Sequence, residues 1–344
     1  MRTTKASRGL ALLVALATSL SLPSAHSEPQ PSASRASCTG LNLLDTLKAS
    51  DPARHIRIVE ESQSLENGNA VLWKIARPGQ PPSYLLGTVH LSDRRVTRLS
   101  NAAKNAIRAS KSVVIENADL SAEAASRAYA EATASAVFSD GRSLETLLSK
   151  DEFERMRKSV GDGLVPAETL RVYRPWIVSL MLSASDCERR RILKGYRVFD
   201  MVIADRARVN GIPVSGLETT EQQLAALASL PDDEQLGMLR ANIAMLDENE
   251  NLRETMVQLY VKRQIGAIWG LQLALAERAG VPASAYASFR ETVIVQRNRK
   301  MRDAALTHTE KGGAFIAVGA LHLPGKTGLV ELFREAGYTA TPIE

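Results

Sequence analysis

Aromatic residues make up only 5% of the 344-residue chain, and it has two cysteines and five histidines. So few aromatics argue against an aromatic-lined haem pocket. With no C-x-x-C pair, redox catalysis by a dithiol has no sequence basis. H-E-x-x-H, G-x-S-x-G and Walker-type loops are also absent, which removes the commonest zincin, α/β-hydrolase and nucleotide-phosphate signatures. Gly161-Asp162-Gly163 is too short and isolated to stand in for the last of these. Beyond residue 22 there is no long charge-free apolar run, so no transmembrane segment is expected after the N-terminal region.

That N-terminal region has a definite pattern. Arg2, Lys5 and Arg8 precede an apolar run from Leu10 to Leu22, and Ala25 and Ser27 are small residues suited to cleavage after Ser27. This is the layout of a secretory signal peptide over residues 1–27. Cleavage would lower the net charge from +5 to +2, because three basic residues and no acidic ones leave with it. The basic balance therefore gives no reason to expect a nucleic-acid partner. Residues 28–37 (EPQPSASRAS) read as a flexible leader, and 38–344 as a single domain with no second linker of that kind. The expected location is the periplasm. In that oxidising setting a Cys38–Cys187 disulfide is favoured over two free thiols.

The apolar periodicity predicts an α/β class. Ala70–Ala76 and Tyr84–Gly87 are short strand-like runs separated by Pro and Gly, which suggests an antiparallel pair. A helix capped by Ser92 or Asp93 should run through Val96, Leu99, Ala103 and Ile107, followed by the strand Ser112–Glu116. Residues 121–208 are helical in period. Gly211–Glu218 is another short strand, Thr220 to Gly280 reads as a long helical stretch, and a helix should cover Pro282 to Leu306. Ala314–Gly319, a short helix from Thr327 and a strand near Tyr338 complete a mixed central sheet flanked by helices, with a helical insertion.

Two segments repeat one pattern: Leu85-Leu86-Gly87-Thr88-Val89-His90-Leu91 and Ala317-Val318-Gly319-Ala320-Leu321-His322-Leu323. Each is an apolar strand followed by Gly-x-x-His, which places an imidazole at the rim where open α/β sheets bind ligands. Of the four histidines beyond the signal region, His55 and His308 lack this setting and read as surface residues. A converging imidazole pair suits a divalent transition metal. Glu116 ends the strand after the first motif and is the candidate carboxylate ligand. Glu218 ends another strand and is a candidate general base or second ligand. Asp200, on an apolar helix face, reads as the buried partner of an arginine. Arg297, beside Asn298, could steady a developing oxyanion or pair with a rim carboxylate.

LLGTVHL, Glu116, Gly-Leu-Glu-Thr at 216–219, QRNRKM at 296–301, AVGALHLPGKTGL at 317–329 and the early Cys-x-Gly at 38–40 together resemble the TraB/PrgY/GumN family. That family is related to the Tiki metalloproteases, and more distantly to ChaN-type haem-binding proteins and erythromycin esterases. The resemblance implies a metal-dependent hydrolase, most simply a peptidase. His90, His322 and Glu116 would hold the metal (Mn, Co or Zn), and Arg297 matches the arginine of an Arg-Asn motif. A peptide or small-molecule substrate follows from it. Two alternatives stay open: a periplasmic haem- or ligand-binding protein, and a non-catalytic protein associated with envelope polysaccharide.

Overall fold

A computed structural model describes residues 38–117, 122–161 and 165–344. The expected signal peptide and leader, and most of Gly161-Asp162-Gly163, lie outside the described residues. Six strands form one mixed sheet: β1 (Leu72–Ala76), β2 (Ser83–Thr88), β3 (Ser112–Asn117), β4 (Val214–Glu218), β5 (Ala314–Gly319) and β6 (Thr339–Pro342). Their order is β4-β3-β5-β2-β1-β6. The four strands β4, β3, β5 and β2 are parallel, whereas β1 runs antiparallel to both β2 and β6. The antiparallel β1–β2 pair expected from the Pro/Gly-rich link is present, with Leu72 opposite Leu86 and Ile75 opposite Ser83.

Burial explains which strand sits where. Ala314 to Val318 are all fully buried, as a central parallel strand covered by helices on both faces requires. β6 is mostly exposed and carries Pro342, whose missing N–H is tolerated at a sheet edge. The main apolar core surrounds the sheet, with Val113, Val114, Phe315, Ile316 and Phe333 at 0% exposure. A second core, built from Leu144, Met156, Leu170, Trp176 and Leu239, lies in the helical insertion.

The helices differ from the sequence reading in three places. The helix expected after His90 is two, Arg94–Thr97 and Asn101–Ala109, because Ser100 caps the second by accepting from the Ala103 amide at 3.0 Å. The run from Thr220 to Gly280 divides into Thr220–Ala228, Asp232–Ala244, Asn249–Val261 and Ala267–Arg278. Pro231 and a left-handed Arg263 (φ 62°) lie at two of the breaks. The helix expected over 282–306 contains a π-helical segment, Arg290–Gln296, before α-helix resumes at Arg297.

Cys38 and Cys187 form a disulfide, with Cα atoms 5.7 Å apart and a sequence separation of 149 positions. Closing so long a loop restricts the unfolded chain. Replacing both cysteines with serine is therefore expected to lower stability by about 2–4 kcal/mol. Urea titration of the double variant measures this, and an unchanged midpoint would show that the bridge contributes nothing. No helix among the described residues is long and apolar enough to cross a membrane.

Candidate functional site

The parallel part of the sheet sets out the site in order. Along the carboxyl ends of β4, β3, β5 and β2 come Glu218, Glu116, His322 and His90. The repeated Gly-x-x-His units therefore follow neighbouring parallel strands, with Gly87 paired to Val318 and Thr88 to Gly319. The two histidine motifs, 232 positions apart in the chain, become neighbours because β5 inserts between β2 and β3.

Each histidine is held through the same ring nitrogen. His90 Nδ1 lies 2.9 Å from Asp200 Oδ2, and the Thr88 hydroxyl donates to Asp200 Oδ1 at 2.7 Å. His322 Nδ1 lies 2.6 Å from Asn298 Oδ1. The Asn298 amide nitrogen donates to the Thr327 carbonyl at 2.8 Å, which orients its oxygen toward the ring. With an acceptor facing each Nδ1, the neutral form of either ring carries its proton there and keeps its lone pair on Nε2. Asp200 therefore serves His90 and not an arginine.

Glu116, at the end of β3, lies beside the His322 arm, which follows the neighbouring strand β5. Its Oε2 accepts from the Gly319 amide at 2.7 Å, while Oε1 accepts from Arg297 Nη2 at 2.6 Å and Gln223 Nε2 at 3.0 Å. Arg297 also pairs with Glu218, at 3.0 Å through Nε and 2.7 Å through Nη2, and donates to the Val293 carbonyl at 3.2 Å. One buried guanidinium thus pairs with two buried carboxylates.

Gly319 marks where these groups converge. A Cβ built there would lie 3.3 Å from Glu116 Oε2, 3.4 Å from His322 Cδ2 and 3.8 Å from His90 Nε2. The arrangement is open and not a closed ligand shell. Among the described residues, only Cys38, Cys187 and Glu250 place three such donor atoms within 4.8 Å of one another, and those sulfurs are committed to the disulfide. The two histidines set aside in the sequence lie apart: His55 is in the helix Pro52–Ser64 and His308 in Arg297–Thr309, and neither lines the site.

The rim opens into a cavity of about 730 Å³. His90, Glu116, Arg297 and His322 line it, and Met181, Met245, Met256, Leu275 and Ile294 are among its apolar lining residues. Glu218 does not line it. Sequence reasoning missed Thr88 and Gln223 and assigned Asp200 the wrong partner. Thr88 was the one within reach, since it sits inside the first motif.

The local charges titrate in opposite directions. Asp200 raises His90 from 6.5 to about 9. Burial lowers His322 to about 4. Burial alone would raise Glu116, but His322, His90, Arg297 and the Gly319 amide together hold it at about 2. A raised His90 contributes stability below pH 6.5 that is lost as pH climbs through 9. Lowered His322 and Glu116 contribute stability at higher pH. The His322 share is lost between pH 6.5 and 4, and the Glu116 share between 4.5 and 2. The metal-free protein should accordingly be most stable near pH 6.5 so far as these three groups decide it. Urea titrations across pH should show His322→Asn flattening the acid limb above pH 4, and an unflattened limb would remove His322 as its cause.

The fold and rim thus define an α/β protein with paired imidazoles, a carboxylate and an arginine lining an open cavity. The chain belongs to the TraB/PrgY/gumN family, whose model matches residues 71–342. It is 24% identical over 357 residues to the metalloprotease TIKI2 of Danio rerio, covering 87% of this chain and 67% of that protein. It is 25% identical over 274 residues to the uncharacterized protein YbaP of Shigella flexneri, covering 78% and 94% respectively. TIKI2 of Xenopus tropicalis is 24% identical over 325 residues, covering 80% of this chain and 60% of its own length. No solved structure matches the chain significantly.

Proposed function

We propose that this chain is an exported, divalent-metal-dependent hydrolase, acting as a peptidase in the manner named for its TIKI2 relatives. The observation that carries the reading is the pair of imidazoles with Nδ1 committed to Asp200 and Asn298, beside a carboxylate and a glycine that leaves the space between them open. Two imidazole nitrogens and one carboxylate suit Mn, Co or Zn better than an all-oxygen ion such as Ca, with the extra proton on His90 displaced as the ion binds. His90, His322 and Glu116 would hold the ion. A divalent ion there supplies Lewis acidity toward a scissile carbonyl and lowers the pKa of a water.

The remaining residues act on the rim itself. Arg297 keeps Glu116 ionised and offers positive charge at the cavity wall. Glu218 faces Arg297 and lies outside the cavity lining, so its part is to hold that guanidinium, in place of the proton transfer expected for it. The apolar part of the cavity lining accommodates a substrate longer than the reacting group. Export is supported by the N-terminal pattern and by the disulfide, which persists in oxidising compartments.

Elemental analysis of the purified protein, then a peptide library with Mn²⁺, Co²⁺ or Zn²⁺ restored, tests this reading. Metal should co-purify or bind, and the His90→Ala/His322→Ala double variant should lose it along with any cleavage. If that variant bound metal as tightly as the parent, the ligand assignment would be wrong. Metal binding with no turnover on any peptide would instead favour a ligand-binding role.

A further inference from the structure

The two histidine arms are secured by different parts of the chain. The His322 arm is held by Asn298, which in turn donates to the Thr327 carbonyl, so its support comes from the C-terminal segment that contains it. The loop His90-Leu91-Ser92 is held by residues 188–200. Asp200 takes the His90 ring, and the Phe199 amide donates to the Leu91 carbonyl at 3.1 Å. Glu188 Oε1 accepts from the Ser92 amide at 2.5 Å. Arg191 donates to the Ser92 hydroxyl at 2.8 Å through Nε and to its carbonyl at 2.7 Å through Nη2.

Glu188 is unusual for a residue whose task would be structural alone. It is 1% exposed, and its second oxygen has no hydrogen-bond partner. Burying a carboxyl with one acceptor unsatisfied costs free energy that a neutral side chain would avoid. A charge-assisted bond to a single backbone amide gives it a strong, directional hold on Ser92. Ser92 itself is 2% exposed, two residues from His90. The helix that carries both gripping residues, Asp186–Leu193, is tethered in turn. Cys187 joins it to Cys38, and Glu250 accepts from the Cys187 amide at 2.7 Å and the Ser185 hydroxyl at 3.0 Å.

We infer that Glu188 and Arg191 are positioning residues for His90, fixing the imidazole by gripping Ser92 from the disulfide-tethered helix. The consequence for metal rests on the hydrolase reading above, whereas the consequence for the His90 ring does not. Supporting groups one step removed from a ligand commonly change metal affinity by about 10–100-fold. Arg189 provides an internal control on the same helix. It bonds the Ala184 and Ser159 carbonyls and Asp186, and does not touch Ser92.

The experiment compares Glu188→Gln, Arg191→Ala and Arg189→Ala in the full chain, by Zn²⁺ competition titration and by imidazole NMR of the metal-free protein. Glu188→Gln and Arg191→Ala should each weaken Zn²⁺ by at least about 10-fold. Both should also abolish or broaden the His90 Nδ1–H resonance while leaving that of His322 in place. Arg189→Ala should lower Tm and leave both readouts at parental values. Parental readouts in Glu188→Gln and Arg191→Ala would overturn the inference, as would equal damage from Arg189→Ala, since helix stability would then be the cause. If Arg191→Ala fails to fold, the near-isosteric Glu188→Gln carries the test. A parent that binds no Zn²⁺ would sink the metal reading, and the His90 resonance would still decide this one.

Discussion

Replacing Arg297 with methionine should cost about 3–5 kcal/mol of stability, the size of effect expected when one partner of a buried ion pair is removed. The guanidinium side chain is 10% exposed, and the two carboxylates it serves, Glu116 and Glu218, are 7% and 4% exposed. Removing it leaves two like charges in one low-dielectric pocket, each disfavoured by burial and by the other. Two further results follow from that account. The deficit should shrink as pH falls, because protonating a carboxylate removes the uncompensated charge. Adding Glu218→Gln should recover a substantial part of the loss, since Glu116 keeps the Gly319 amide and Gln223 as donors. Urea titration of the single and double variants decides the matter. A loss under about 1 kcal/mol, or no recovery in the double variant, would mean that Arg297 is not the charge compensator its geometry indicates.

Why the sequence discloses some of this site and not the rest follows from the distance over which each signal is written. The Gly-x-x-His units are local: strand, glycine and histidine lie within a few residues, so a short apolar run and a strand-end glycine suffice to place both imidazoles at a rim. Glu116 and Glu218 were legible for the same reason, each closing its own apolar strand. Asp200 was not. It reaches His90 from a helix 110 positions away, on the far side of the helical insertion, and only the packing of that helix against the β2 end pairs them. Its apolar surroundings suggested a buried charge pair, and arginine is the usual partner on statistical grounds, whereas the local sequence holds no trace of Thr88 and His90 converging on it. The π-helical segment before Arg297 is hidden in the same way. Arg290–Gln296 has unremarkable helical composition, and what the wider turn achieves is visible only in three dimensions, where Arg297 reaches the Val293 carbonyl and both carboxylates at once. The helix breaks at Ser100 and Pro231 lie between these extremes. Capping and proline signals were present, but apolar spacing on either side of them continued smoothly enough to read as one helix.

Gly319→Ala should separate metal affinity from fold more sharply than removal of any ligand. The backbone at Gly319, φ −53° and ψ 136°, is open to any residue, so alanine adds no conformational strain there. What it adds is one methyl group at the centre of the site. Contacts of 3.3 Å to Glu116 Oε2 and 3.4 Å to His322 Cδ2 are tighter than ordinary packing, and His90 Nε2 would lie 3.8 Å away. Glu116 and His322 must then give way by a few tenths of an ångström, and both are anchored against doing so, Glu116 by three donors and His322 by Asn298, while His90 at 3.8 Å is in ordinary contact. Disturbing the support of a metal ligand commonly costs about 10–100-fold in affinity, and shifts this small belong at the lower end of that range. The expected result is therefore a Tm within a few degrees of the parent and Zn²⁺ affinity reduced by at least about 10-fold. Gly87, the equivalent position in the first motif, gives the contrasting case. There a Cβ would meet Leu323 Cδ2 at 2.9 Å and the Ala320 backbone at 3.1 Å, so Gly87→Ala should act on packing and lower Tm. If Gly319→Ala kept parental affinity, the space between His90, Glu116 and His322 would not be where the ion sits. If it unfolded the protein as Gly87→Ala is expected to, that glycine would serve chain packing and the two motifs would be alike in function as well as in sequence.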